Sequence, residues 1–411
     1  VSCWVKRNKI GVQQYILFAG RNATPAEGFT IAFDANDKLN FAIHNGSGYV
    51  LQKISTAVYR DTTSWMHILA VFNTVSGANK FYVNGYEISA WGTNTNASSS
   101  QAIYLHSAQI HRALAGSSGG SLAFYNSTYV ADLITLDGYA ASPSDFGGYT
   151  AAGIWMPVDP TTLVSARKGT NGSWLDFAVA PDTSNGAGTD ISTNSRHWTD
   201  SASLVAAQKT TDSPTNTAGD NEGNFATFNS LLKTTGTFSN GNLKFLADSQ
   251  VGFGHSITST HVMTSGTYYA EFVVNAWSGT NHATIGIATT DFVTSGNYAA
   301  NWTGANTQSW GYYADGSVYT NGSATSSGYT SYTIGDVIGV KLDATNGAVY
   351  FYKDGTVQNS GSAAFSSLTG PFVFSVSNAG GSTHTTITAN FGQTSLSDQP
   401  GSTSTLGTHN L

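Results

Sequence analysis

The acidic side chains are the first residues to weigh for chemistry, and they are few and dispersed. Glycoside hydrolysis needs two carboxyl groups facing one bond, roughly 5–10 Å apart. A glucanase built on β-sheet places them on alternate positions of one strand, as in ExDxxE. The four glutamates are Glu27, Glu87, Glu222 and Glu271, and none stands in that pattern. Glu271, in YYAEFVV, is expected to be a partly buried structural residue. A Ser-His-Asp triad would need its serine on a sharp strand-to-helix turn, and no GxSxG stands in that setting. HxH, HExxH and CxxC are absent. His106 and His111 face each other around a turn and are a weak case for a shared zinc. Recognition by aromatic rings is the remaining chemistry. A tryptophan on a loop offers a large apolar face and one donor, suited to stacking on a sugar or a base. Trp277 in NAWSGTN and Trp302 in YAANWTGANTQ stand in loop-like sequence, and Trp91 in SAWGTN follows a hairpin. Each either faces a ligand or covers the edge of its own domain. Trp4, Trp65 and Trp310 lie inside strand motifs and are expected in cores.

The elements that must hold these residues are β-strands, and one arrangement of them is written twice. Residues 68–85 read ILAVFNTVSGANKFYVNG, and residues 338–355 read IGVKLDATNGAVYFYKDG. The two align without a gap, so Gly77 faces Gly347, Phe81 faces Phe351, Tyr82 faces Tyr352 and Gly85 faces Gly355. Each copy is an alternating run, a glycine-containing turn, an aromatic run and then Asn-Gly or Asp-Gly. Those dipeptides supply the positive φ angles of a type I′ turn, so each copy predicts two consecutive hairpins. Two related β-sandwiches in tandem follow.

At 411 residues the chain can bury more than one core. Charged residues make up 10% of it, against roughly 25% in ordinary soluble domains. A net charge of −7 argues against a general nucleic-acid binder, which needs a basic face to release counterions. The one basic cluster, Lys6, Arg7 and Lys9, reads as a solvated strand end. A single cysteine, Cys3, excludes an intrachain disulfide. No run of 18 apolar residues offers a membrane span. Residues 1–158 are dense in short alternating runs separated by turn residues. Residues 159–222 change to Ser, Thr, Asn and Gly with short apolar islands and read as an irregular connector. Residues 223–395 are strand-dense again, and 396–411 read as a tail.

The first unit resembles a laminin G-like, concanavalin A-like jelly roll through SCWVKR, WMHILAVF, FYVNGYEI and YVADLITLDGYAASPSDFG. The last resembles a SPRY domain through GTYYAEFVV, IGIAT, SWGYYADG, YTIGDVIGVKLD, AVYFYKDG and ITANFG. The resemblance implies an all-β chain of two concanavalin A-like antiparallel sandwiches. It also implies calcium as a conceivable ligand of the first unit, with Asp34, Asn36 and Asp37 in FDANDKL the nearest residues. The alternative for those three is an Asx-rich hairpin turn. In the family further sequence precedes the SCWVKR-like strand. The first sheet is therefore expected to lack a strand or to borrow one from a neighbouring chain.

The order of the modules is similar to large virion proteins of tailed phages and aquatic viruses, where they sit on tail fibres, spikes or capsid appendages. The expectation is a non-enzymatic virion surface protein that assembles with copies of itself or with other virion proteins. Host attachment, with a cell-surface glycan as the partner, is the accompanying expectation. No nucleic acid and no membrane insertion are expected, and the location is the virion surface or the extracellular space. The alternatives are a carbohydrate-binding module of a secreted bacterial adhesin and, more weakly, a polysaccharide-cleaving enzyme.

Overall fold

The computed structural model describes residues 1–21, 27–118, 121–181, 185–201, 204–215, 222–232, 236–247, 255–278, 283–378, 384–394 and 396. The chain divides into two compact units, Val1–Lys209 and Thr210–Leu411. Each is a sandwich of antiparallel sheets. In the first unit one sheet runs, in spatial order, Ser173–Leu175, Tyr129–Thr135, Ser2–Lys6, Met66–Val71, Lys80–Val83, Tyr86–Glu87. The facing sheet runs Ile110–Ala113, Gln14–Arg21, Glu27–Phe33, Leu39–His44, Tyr49–Ser55, Trp91–Thr95. Alternation aims Val5, Ile68, Ala70 and Phe81 of one sheet at Phe29, Ile31, Phe41 and Ile43 of the other, and these residues form one core. Across the gap Phe41 and Phe81 stack with centroids 4.2 Å apart.

In the second unit the seven-stranded sheet is Gly236–Ser239, Lys244–Ala247, Thr385–Asn390, Thr267–Trp277, Val337–Asp343, Ala348–Lys353, Thr356–Val357. The six-stranded sheet is His255–Thr258, Phe372–Asn378, Ala283–Thr289, Ser309–Tyr313, Ser317–Thr320, Ser323–Ser327. Phe272, Val340 and Phe351 meet Ile285, Tyr312 and Phe374 in its core. Among the described residues no helix is long and apolar enough to cross a membrane.

The two written copies of the hairpin fold in one register, the second pairing two positions further toward its first turn. Leu69 pairs with Tyr82 and Ala70 with Phe81, as Gly339 pairs with Tyr352 and Val340 with Phe351. Tyr82 then pairs with Glu87, and Tyr352 with Val357. In both sheets these strands are the last three in order. The turn residues have the left-handed backbone their types predict: Asn84 and Gly85 at φ 47° and 82°, Asp354 and Gly355 at 46° and 74°.

The segment 159–222 differs from its irregular appearance in sequence. Ser173–Leu175 pairs with Leu133–Thr135 and extends the first sheet. The helix Thr161–Arg167 sets Val164 against Leu69, Ile134 and Phe146 on that sheet's outer side. Much of the remainder is tied by side chains instead of a ladder. Asp190 accepts the amides of Trp174, Ser192 and Arg196 at 2.8, 2.9 and 2.8 Å. Asp200 accepts those of Ala187 and Gly188, each at 3.0 Å. Residues 216–221 of this segment, and 397–411 of the tail, lie outside the described residues.

Candidate functional site

Several charged residues of the first unit are buried in its structure. Lys6 and Arg7 are 0% and 1% exposed, so the basic cluster is not a solvated strand end; only Lys9 faces water. Arg7 lies over the Phe33 ring at 4.1 Å and bonds Asp37 through Nη1 at 3.0 Å. Asp37 also accepts the Gly11 amide at 2.7 Å and Arg60 Nε at 2.9 Å. Burial by itself pushes the Asp37 carboxyl up, yet the Gly11 amide and the two guanidinium groups together hold it below the usual carboxylate range. Asp34 is spent on its own turn, accepting the amides of Asn36 and Lys38 at 2.8 and 2.9 Å. Asn36 is exposed. Asp34 and Asp37 therefore do not converge on a cation. The FDANDKL segment is the Asx-type turn, with two arginines where calcium would have to compete.

The histidine pair does not form a metal site either. His111 Nε2 accepts the His106 amide at 3.2 Å, and its other ring nitrogen lies 2.8 Å from the Gln109 carbonyl. A cavity of about 560 Å³ opens beside His106 and Asp137. Asp137 Oδ2 there is already taken by the amide and side chain of Asn171. Among the described residues no three His, Cys, Asp or Glu side chains gather as metal ligands.

Of the three tryptophans singled out by sequence, two lie in strands. Trp277 is the last residue of Thr267–Trp277, half-buried on the second core and 6.4 Å from the Tyr332 ring. Trp91 is the first residue of Trp91–Thr95 and meets Phe41 and Phe81 edge-on at 6.3 and 5.6 Å. The Lys53 ammonium lies 5.4 Å over its face. Trp91 covers the edge of the first sandwich, and Trp277 covers the end of a central strand in the second. The Gly, Thr and Asn residues that follow each of them gave the look of a loop.

Trp302 is in a loop, as its sequence predicts, and it has company. Its ring stands edge-on to Tyr319 at 5.2 Å and 6.4 Å from Tyr313, and the two tyrosines are 5.7 Å apart. All three are half-buried, so each keeps part of its ring open. The hairpin SWGYYADGSVYT supplies the tyrosines: Tyr312 turns into the core, and its neighbour Tyr313 turns out beside Tyr319. That alternation was the sequence signal for Tyr313 and Tyr319, which sequence reasoning left out of the site.

The loop carrying Trp302 is fixed to the sheet by hydroxyls. Thr303 donates its amide to Ser377 Oγ at 2.9 Å, and its own hydroxyl lies 2.7 Å from Ser375 Oγ. Ser256 Oγ donates to the Asn301 carbonyl at 2.8 Å, and the Gly304 amide donates to Ser309 Oγ at 2.8 Å. Gly304 sits at φ 107°, where a Cβ would come within 2.9 Å of the Tyr319 Cβ and 3.1 Å of the Trp302 ring. Glycine is thus required for the three rings to close up. The result is a hydrogen-bonded aromatic face bordered by Ser, Thr and Asn, which can stack on a ring and hydrogen-bond its substituents.

Comparison with known proteins bears on both units. Residues 267–394 match the family model of the SPRY domain, and residues 1–124 match that of the concanavalin A-like lectin/glucanases superfamily. Among solved structures, the crystal structure of the SPRY domain of human HERC1 is similar, with 20% identity, a TM-score of 0.33, and coverage of 39% of this chain and 96% of that chain. No curated protein matches the chain. Trp302, Tyr313 and Tyr319 all fall within the SPRY match.

Proposed function

We propose that this chain, a concanavalin A-like domain followed by a SPRY domain, is a non-enzymatic recognition protein that holds a glycan against Trp302, Tyr313 and Tyr319. The carrying observation is the set of ring contacts and hydrogen bonds that builds that face. Three rings and a hydroxyl-pinned loop are in place before any ligand arrives, so little ordering cost falls on binding. The engagement of several acids elsewhere supports the non-enzymatic reading: Glu271 is buried, and Asp37, Asp190 and Asp200 are committed to backbone amides or arginines.

The setting that suits such a chain is an extracellular particle, with this protein as a virion appendage built from copies of itself or with other virion proteins. The support is the low charge, the all-β architecture and the module order. The deciding test is Trp302→Ala on a glycan array, beside a thermal melt. Loss of about 1–3 kcal/mol of binding, with folding unchanged, is expected of a hot-spot ring. Unchanged binding on every glycan, or a collapse of the melting temperature, would refute the site. Electron microscopy of native particles decorated by an antibody to this chain addresses the setting; a chain found only free in solution removes it.

A further inference from the structure

A second set of rings lies on the first unit, at the end of its sheet. Tyr86 begins the two-residue edge strand Tyr86–Glu87 and is 71% exposed; Tyr149, in Gly147–Tyr149, is 46% exposed. Their centroids are 5.6 Å apart, and Tyr149 meets Trp155 edge-on at 4.8 Å. The row continues inward. Trp155 lies 6.2 Å from the His67 ring, and His67 lies 4.9 Å from Trp4 in the neighbouring strand. The exposed rings are therefore the open end of an aromatic row rooted in the sheet.

This end is held firmly. The Tyr149 hydroxyl donates to the Asn84 carbonyl. Gly147–Tyr149 pairs with Trp155–Pro157 in a hairpin. A Cβ at Gly85 or Gly147 would come within 2.7 or 2.4 Å of the Trp155 ring, so the indole lies directly on backbone at both places. Exposed rings on so rigid a base are an unusual surface to leave uncovered.

The geometry points to a binding surface for a neutral glycan here, in which a sugar ring lies on Tyr86 and Tyr149. The local charge favours a neutral ligand. Lys80 and Glu87, the charged neighbours on these strands, face each other at 3.5 Å and cancel, leaving no field to gather a nucleic acid or an anionic membrane. The edge favours a small occupant. A strand of two residues is too short to template a partner's strand, and two rings fall far below the roughly 800 Å² per side of a stable protein interface. Tyrosine adds hydroxyls that can bond a sugar's own. The inference shares its ligand class with the Trp302 proposal but not its residues, so the two can fail separately.

The experiment measures depletion of the full chain onto beads carrying dextran, mannan, a β-1,3-glucan or heparin. It compares wild type, Tyr86→Ala, Tyr86→Phe, Trp302→Ala and the double variant Tyr86→Ala/Trp302→Ala. Tyr86→Ala is expected to weaken retention about fivefold or more on at least one neutral polysaccharide. It should do so in the Trp302→Ala background as well, with Tyr86→Phe close to wild type and the melting temperature unchanged. Retention by Tyr86→Ala equal to wild type on every neutral bead overturns the inference, whatever Trp302→Ala does. Failure of the wild type to bind any neutral bead, or a loss confined to heparin, overturns it too. A loss with Tyr86→Ala but none with Trp302→Ala sustains it and removes the Trp302 site instead.

Discussion

The first sandwich takes several charged groups inside, whereas the polar groups beneath the Trp302 loop of the second are hydroxyls. Arg7, Asp37 and Lys53 are buried in the first unit, and Asp37 joins two arginines to the Gly11 amide. In the second unit Ser256, Thr303, Ser375 and Ser377 are buried as a set of short bonds under the Trp302 loop. The hairpin shared by both units keeps one register throughout, so this difference is not imposed by the backbone. A buried charge pair stabilises steeply, because losing Arg7 or Asp37 strands the other without water. A hydroxyl set fails by single bonds and suits a loop that has only to be held still.

The largest expected effect is that of Asp37→Ala. It leaves Arg7 buried without its carboxylate and should cost about 3–5 kcal/mol, confined to the unfolding of the first unit. Denaturant titration with hydrogen exchange read in both units measures this; a cost below about 1 kcal/mol would dissolve the contrast. Next comes Thr303→Val, which strands the Ser375 hydroxyl. The same titration should give about 1–3 kcal/mol in the second unit, together with weaker glycan binding as Trp302 loosens. A Thr303→Val variant as damaging as Asp37→Ala would show the hydroxyl set to be equally cooperative.

A further expectation concerns pH dependence, and it belongs to the first unit. Burial holds the His67 ring down to about 3 and is the main cause of the drop of His106 to about 4. The fold keeps both rings neutral, while the unfolded chain protonates them from about pH 6.5 downward. Stability of the first unit should therefore decline as pH falls from about 6.5 towards 4. Asp37 adds a second loss lower down. Its carboxyl lies below the unfolded value, so its contribution is present above about pH 3.9 and disappears as pH falls through the folded value. Melts of wild type and His67→Gln from pH 7 to 4 test this, and an equally steep decline in both would exclude His67 as a cause.

What could be read from sequence tracks the range of the interactions. The hairpins are local: alternation, one aromatic run and an Asn-Gly or Asp-Gly pair specify strand, register and turn, and the register agrees wherever both copies pair. The segment 159–222 hid its order because Asp190 and Asp200 do with single carboxylates what a ladder does with many amides, and an aspartate in a Ser/Thr-rich stretch looks like any other. Trp302 was legible as a loop residue. The anchoring of its loop was not, because Thr303 meets Ser375 across 72 positions, a pairing no local pattern encodes. Trp91 and Trp277 misled for the opposite reason: small polar neighbours concealed strands whose ends they cap.

One buried atom gives the molecule a clock. Cys3 is the only cysteine in the chain, lies fully buried beside Ile68 in the first core, and has its thiol pushed up to about 12 by burial. The thiolate is the reactive form, so a thiol reagent finds nothing to attack while that core is shut. Each labelling event then records one opening of the first sandwich, whatever the second is doing. The natural sequence thereby carries its own reporter for timing how one half of the protein breathes while the other stays folded or holds a ligand.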